Sequence, residues 1–257
     1  LTLKVALATG AARRFVVGDP TIHYLDALAG ATVMRTAVGE HLANKGDVLV
    51  DEATVQALGN AVVVKEWRSD ENGERFALVE KLSVTSDRLS VRDETVDESL
   101  ITSEQLRPWI HSSVYDRETT GQASFLTEFR PCVALFVRFT GIDYDSDSAE
   151  SELDAFIREV QRIASRYDGT LMGISIGDKG SYVYVDFGAL SAHEDDPRRA
   201  VKAALELREK TKLQLQMGIT QGLMRVGTYG GVTRKTFGTL GDEVNLAARL
   251  MSNAAPG

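Results

Sequence analysis

The sequence predicts an α+β fold built on a ferredoxin-like βαββαβ core with extra strands. Three observations carry that reading. The second half of the chain runs strand, helix, strand pair, helix, strand, in that order. Its helices show apolar residues at helical spacing and its strands alternate. The two ends of the chain also resemble each other, which predicts a tandem pseudo-dimer of two related lobes.

Residues 3–9 alternate as a strand and Gly10 ends it. Residues 13–28 read as a hairpin around Gly18-Asp19-Pro20. Val33, Ala37, Val38 and Leu42 give a helix over 30–43, closed by Gly46. Asp47-Val-Leu-Val is a short strand. Val62–Trp67 and Phe76–Lys81 form a second hairpin around Asp70-Glu-Asn-Gly73. Residues 83–127 are polar and aperiodic, and read as a linker with a short helix near Ser103–Trp109. Trp109 reads there as a pin holding the linker to a domain.

A new pattern begins at Arg130-Pro131. Residues 132–139 are an apolar strand. Leu153, Phe156, Ile157, Val160 and Ile163 predict a helix over 149–167. Residues 170–176 and 181–187 pair around Gly177-Asp178-Lys179-Gly180. Asp196-Pro197 reads as a helix start with Asp196 as the cap. A strand over Leu215–Thr220, a hairpin over Gly222–Phe237 and a helix over Asp242–Ser252 complete the chain. The domain boundaries expected are thus 1–82, a linker over 83–127, and 128–257.

Composition narrows the function classes. Of 257 residues, 43% are hydrophobic and 26% charged, as in ordinary globular domains. A formal net charge of −8 argues against sequence-independent nucleic-acid binding and polybasic membrane contact. No apolar run approaches the ~20 residues of a membrane span. The single cysteine, Cys132, sits in an apolar run. It reads as a buried structural thiol and, with no disulfide partner, favours a reducing, cytoplasmic setting. The chain begins at Leu1 without a signal-peptide pattern, and reads as an internal fragment or a processed start. His23, His41, His111 and His193 show no ligand spacing. Asp143, Asp145 and Asp147 alternate like a calcium loop but lack its glycine and glutamate, so they read as a solvated loop.

The internal repeat aligns Leu3-Lys-Val-Ala-Leu-Ala-Thr-Gly10 with Leu215-Gln-Met-Gly-Ile-Thr-Gln-Gly222. A hairpin follows each. Leu28-Ala-Gly30 then meets Thr239-Leu-Gly241, Ala31-Thr-Val33 meets Asp242-Glu-Val244, and Gly257 falls opposite Gly46. The second copy therefore stops just before the strand that follows in the first.

The segment with the sharpest chemistry is Gly241-Asp-Glu-Val-Asn-Leu-Ala-Ala-Arg249. Asn245 and Arg249 are four apart, so a helix puts them on one face. An amide beside a guanidinium, next to small Ala247 and Ala248, suits a phosphorylated ligand, because arginine offers a planar fork of donors. Spacing alone equally allows a solvated helix face.

This segment resembles the signature helix of class III nucleotidyl cyclases. Phe125-Leu-Thr-Glu-Phe-Arg-Pro-Cys-Val-Ala-Leu-Phe-Val-Arg-Phe resembles the entry to the second catalytic lobe of soluble adenylyl cyclases. Gly177-Asp-Lys-Gly180 with Val183-Tyr-Val-Asp-Phe-Gly188 resembles the same lobe. The likeness covers 122–257 well and 1–58 more weakly.

The resemblance implies a lobe–lobe site where the ribose 3′-hydroxyl of a nucleoside triphosphate attacks the α-phosphate and pyrophosphate leaves. It implies Mg2+ or Mn2+, with Asn245 orienting the ribose and Arg249 holding the phosphate. It implies a partner lobe, in the same chain or in a homodimer partner. The nucleotide-reading positions fall at Gly173 and Gly238, with Thr239 and Thr236 near enough to contribute. Glycines cannot read a base, so ATP is favoured over GTP only by the soluble relatives with tandem lobes.

The departures are equally informative. The place of the first metal-binding aspartate holds Arg138, ahead of Gly141; a guanidinium cannot ligate a cation. Asp178 is the one candidate for the second, and a turn aspartate is the competing reading. Met34 and Val38 stand opposite Asn245 and Arg249 in the first copy. One lobe thus lacks metal ligands and the other lacks the transition-state pair. The resemblance places the working metal aspartates before Leu1, and predicts no cyclase activity from these residues alone. The other reading is a non-catalytic nucleotide-binding or regulatory pseudo-cyclase.

Overall fold

The computed structural model describes residues 2–83, 100–120, 127–177, 180–231 and 234–257. The chain divides into two compact units. One comprises Leu1–Arg14 and Leu28–Leu100; the other comprises Phe15–Ala27 and Ile101–Gly257.

In the first unit, β1 (Val5–Leu7) is followed by α1 (Ala31–Leu42), β4 (Val48–Asp51), α2 (Glu52–Leu58), β5 (Val62–Ser69) and β6 (Arg75–Leu82). The sheet order is β1-β4-β6-β5. β1 runs parallel to β4, and the other neighbours are antiparallel. Leu49, Phe76, Leu78 and Ala43 form the core, with Val38 and Leu42 of α1 against it. The sequence reading missed α2. Its seven residues are too short to show a periodicity. Asp51 caps it, accepting from the Thr54 N–H at 2.9 Å.

The predicted first hairpin is present as β2 (Arg13–Val17) and β3 (Leu25–Ala29), paired as a two-stranded sheet. Its tip packs within the second unit. Gly18 donates its N–H to Asp154 Oδ1 at 2.8 Å, and Asp19 donates to Gln161 Oε1 at 2.7 Å. Gln161, almost fully buried, donates in turn to the His23 carbonyl. The predicted helix near Ser103–Trp109 is α3 (Ser103–Leu106), continued by a 3-10 turn at Arg107–Trp109. A capping box of Thr102 and Gln105 starts it. The Trp109 ring lies 5.5 Å from that of Tyr24, and Tyr24 N–H bonds to the Pro108 carbonyl. A further helix, α4 (Ser112–Thr119), was not anticipated.

The ferredoxin-like core follows as expected. It comprises β7 (Glu128–Thr140), α5 (Ala149–Arg166), β8 (Thr170–Gly177), β9 (Gly180–Phe187), α6 (Asp196–Lys210) and β10 (Gln214–Gly230), extended by β11 (Lys235–Leu240) and α7 (Asp242–Asn253). The sheet order is β11-β10-β7-β9-β8, antiparallel throughout. The four strands β10-β7-β9-β8 therefore follow the 4-1-3-2 order of the ferredoxin-like fold. Alternation along β7 divides the core. Val133, Leu135, Val137 and Phe139 point to one face, where the Phe139 ring meets Phe156 of α5 at 4.5 Å. Cys132, Ala134 and Phe136 point to the other, with Met224, Val226, Ala247 and Met251.

Two boundaries differ from expectation. β10 is one strand of 17 residues, with no break at Gly222. The glycine serves packing there: a Cβ on it would lie 2.5 Å from Glu243 Cγ. At α6 the N-cap is Asp195, one residue earlier than expected, and Asp196 turns inward to accept from the His193 N–H at 2.9 Å.

The aligned ends of the chain share local geometry. α1 and α7 each have 12 residues, each follows a glycine (Gly30, Gly241), and each ends on an extended alanine (Ala43, Ala254). Gly46 donates its N–H to Leu3 at 2.7 Å, and Gly257 donates to Leu215 at 3.0 Å.

Candidate functional site on helix α7

α7 lies on β10, and the fit requires a bare backbone. A Cβ on Gly218 would lie 2.1 Å from the Ala247 carbonyl oxygen and 2.4 Å from the Met251 nitrogen. Thr220 Oγ1 donates to the Glu243 carbonyl at 2.7 Å and ties down the first turn. Ala247 and Met251 are buried against the sheet.

The opposite side of the helix carries the predicted pair. Asn245 and Arg249 are both exposed, and among the described residues neither side chain makes a hydrogen bond or ion pair. Leu246 and Leu250 beside them are 44% and 45% exposed, so the pair sits on a partly apolar face. The last turn is held by Asn253, which donates to the Arg249 carbonyl at 2.8 Å. The arrangement offers an amide and an unpaired guanidinium on one rigid helix, which suits a phosphate-bearing ligand.

The other predicted positions differ among themselves. Gly173 lies at a bulge of β8, and a Cβ there would meet open space. Gly238 is buried in β11 opposite Gly227, with the Tyr229 ring beside it. Thr239 is also buried, and its hydroxyl is held by Asp186 and Tyr184. Thr236 is exposed. Asp178 lies outside the described residues.

Arg138 shares its face of β7 with Phe136, and its Nε is buried without a partner. A Cβ on Gly180 would lie 2.7 Å from that Nε. A guanidinium in this place repels a divalent cation. Among the described residues no three His, Cys, Asp or Glu side chains gather into a cation site. The described residues therefore do not fit Mg2+ or Mn2+.

Sequence reasoning missed a buried polar group on the α7 side of the sheet. Asp186 on β9 is 1% exposed and accepts from the Ala189 N–H at 2.9 Å, Tyr184 Oη at 2.7 Å and Thr239 Oγ1 at 3.1 Å. Burial pushes its carboxyl up to about 7, although the three donors work against the rise. Burial likewise pushes the Cys132 thiol up to about 12, with nearby Asp186 adding to it. The signal was in the strand: Tyr182, Tyr184 and Asp186 alternate with Val183, Val185 and Phe187, so β9 presents a polar stripe to the α7 side.

No family model matches the chain, and no curated protein matches it. Several solved structures resemble part of it. The adenylyl cyclase CyaB from P. aeruginosa is 26% identical over 51% of this chain and 76% of that one, with a TM-score of 0.46. The guanylyl cyclase Cya2 is 24% identical over 51% of this chain and 73% of that one, at 0.44. The guanylate cyclase domain of RhGC from Catenaria anguillulae, in complex with GTP, is 22% identical over 50% of this chain and 76% of that one, at 0.44.

Proposed function

We propose that this chain is part of a class III nucleotidyl cyclase with tandem lobes. Residues 1–82 belong to a first lobe, 83–127 to a linker and 128–257 to a second lobe. The second lobe supplies Asn245 to orient the ribose and Arg249 to hold the phosphate of a nucleoside triphosphate, with ATP favoured. The observation that carries the reading is the signature-like helix Gly241–Arg249, folded as a helix with that amide and guanidinium together and free on its outer face.

The chemistry assigned to these residues is positioning and charge stabilisation. The amide of Asn245 holds a hydroxyl, and the fork of Arg249 meets charge that grows on the phosphate oxygens. With Arg138 where the family has a metal carboxylate, no metal step is assigned to this lobe. Carboxylates for a cation belong to a partner lobe outside these 257 residues.

A second reading, a non-catalytic nucleotide-binding module, is favoured by Arg138 and by the glycines at 173 and 238. One experiment separates the two. The intact protein carrying both lobes is incubated with ATP or GTP and Mg2+ or Mn2+, and bound and cyclised nucleotide are both measured. Cyclic nucleotide with release of pyrophosphate supports the enzyme. Tight nucleotide binding without product supports the module, and neither binding nor product rejects both.

A further inference from the structure

Three oxygens meet on the α7 side of the sheet: Asp186 Oδ2, Tyr184 Oη and Thr239 Oγ1. Each touches the other two. Three contacts need three hydrogens, and the two hydroxyls bring only two. With an ionised Asp186, both hydroxyls donate to the carboxylate and the contact between Tyr184 and Thr239 has no hydrogen. With a protonated Asp186 the ring closes: carboxyl to threonine, threonine to tyrosine, tyrosine to carboxyl. The second carboxyl oxygen is occupied by the Ala189 N–H in either state.

The ring joins β9 to the end of β11, two residues before the glycine that starts α7. We propose that Asp186 is a positioning residue whose proton closes this ring, locking the start of α7 and so setting the aim of Asn245 and Arg249. The functional half of this claim rests on the cyclase reading; the ring and its effect on the helix do not.

Burial favours the same protonated state. Asp196, at the start of α6, adds to the rise. On β7, Arg130 donates to the carbonyls of Gly188 and Ala189 and pairs with Glu128 at 2.7 Å, while Cys132 is held as the neutral thiol. Ionisation of Asp186 as pH rises through about 7 opens one contact and loosens β11 from β9.

The test uses infrared and NMR spectroscopy on the intact chain, titrated over about pH 5.5 to 8.5. The proposal expects a buried carboxylic C=O band that disappears as pH rises through about 7 and is absent in Asp186→Asn. The amide resonances of Gly241 and Val244 titrate with the same midpoint in the wild type and stay fixed in the variant. Tyr184→Phe removes one donor to the carboxylate, which raises the midpoint of the band, and leaves no ring to close, so the Gly241 and Val244 resonances no longer follow that midpoint. This variant decides the matter should Asp186→Asn fail to fold. Absence of the band, or Gly241 and Val244 resonances that still titrate in Tyr184→Phe, overturns the ring. A titrating band with unmoved α7 resonances overturns the positioning. Neither readout involves nucleotide, so failure here is distinct from failure of the proposed activity.

Discussion

Gly257 donates its backbone N–H to the carbonyl of Leu215 at 3.0 Å, and Gly46 does the same to Leu3 at 2.7 Å. Both glycines have positive φ, +123° and +94°. Both follow a 12-residue helix whose last residue lies four positions earlier. The two ends of the chain thus close in the same way.

The closure depends on close helix–strand approach. In the second copy Gly218 lies under α7, and even an alanine methyl group would meet backbone atoms that cannot give way. Gly218→Ala is expected to cost about 1–3 kcal/mol, as overpacking does. Urea unfolding of the variant checks this, and an unchanged midpoint would refute the packing argument.

Asp51 performs the matching service in the first unit. It is buried and accepts from Thr9, Thr54 and the Arg35 guanidinium, the last at 3.2 Å. Asp51→Ala removes the α2 cap and leaves those donors short of a partner, so a loss of about 2–4 kcal/mol is expected. Thermal unfolding of the variant measures it.

The stacked rings of His23 and His111, 4.1 Å apart, predict acid sensitivity in the second unit. Burial drives His111 down to about 3, with His23 adding to the effect, and burial also lowers His23. The folded state therefore binds fewer protons than the unfolded chain below the ordinary histidine value of about 6.5. Stability is full above that value and falls as pH drops toward about 3. For His111 alone the loss at pH 5 is about 2 kcal/mol at 1.36 kcal/mol per unit. Unfolding curves at neutral and mildly acidic pH test this, and His111→Phe should flatten the dependence.

Cys132 is 1% exposed and its thiol is pushed up to about 12. Reaction with a thiol reagent at mildly alkaline pH is expected to be slow in the native state and fast after denaturation. Equal rates in both states would place the thiol at the surface instead.

Much of the fold was legible because long amphipathic elements announce themselves. α5 shows Leu153, Phe156, Ile157, Val160 and Ile163 on one stripe, and all are buried. α2 and α4 were not legible, since each spans only two turns or so and owes its place to tertiary contacts. Gly222 misled because a glycine in a strand reads as punctuation, whereas here it makes room for Glu243. The Asn245–Arg249 face could be read from spacing and motif. The Asp186 ring could not, because it joins residues 53 apart in sequence through strand pairing.

The most direct measurement is cyclic nucleotide formation from ATP or GTP by the protein with both proposed lobes, comparing wild type with Arg249→Ala and Asn245→Ala. Both side chains are exposed and, among the described residues, unpaired, so each variant should fold within about 0.5 kcal/mol of wild type. Arg249→Ala is expected to lower kcat about 10²–10³-fold, typical of removing one transition-state donor. Wild-type turnover in both variants would contradict it.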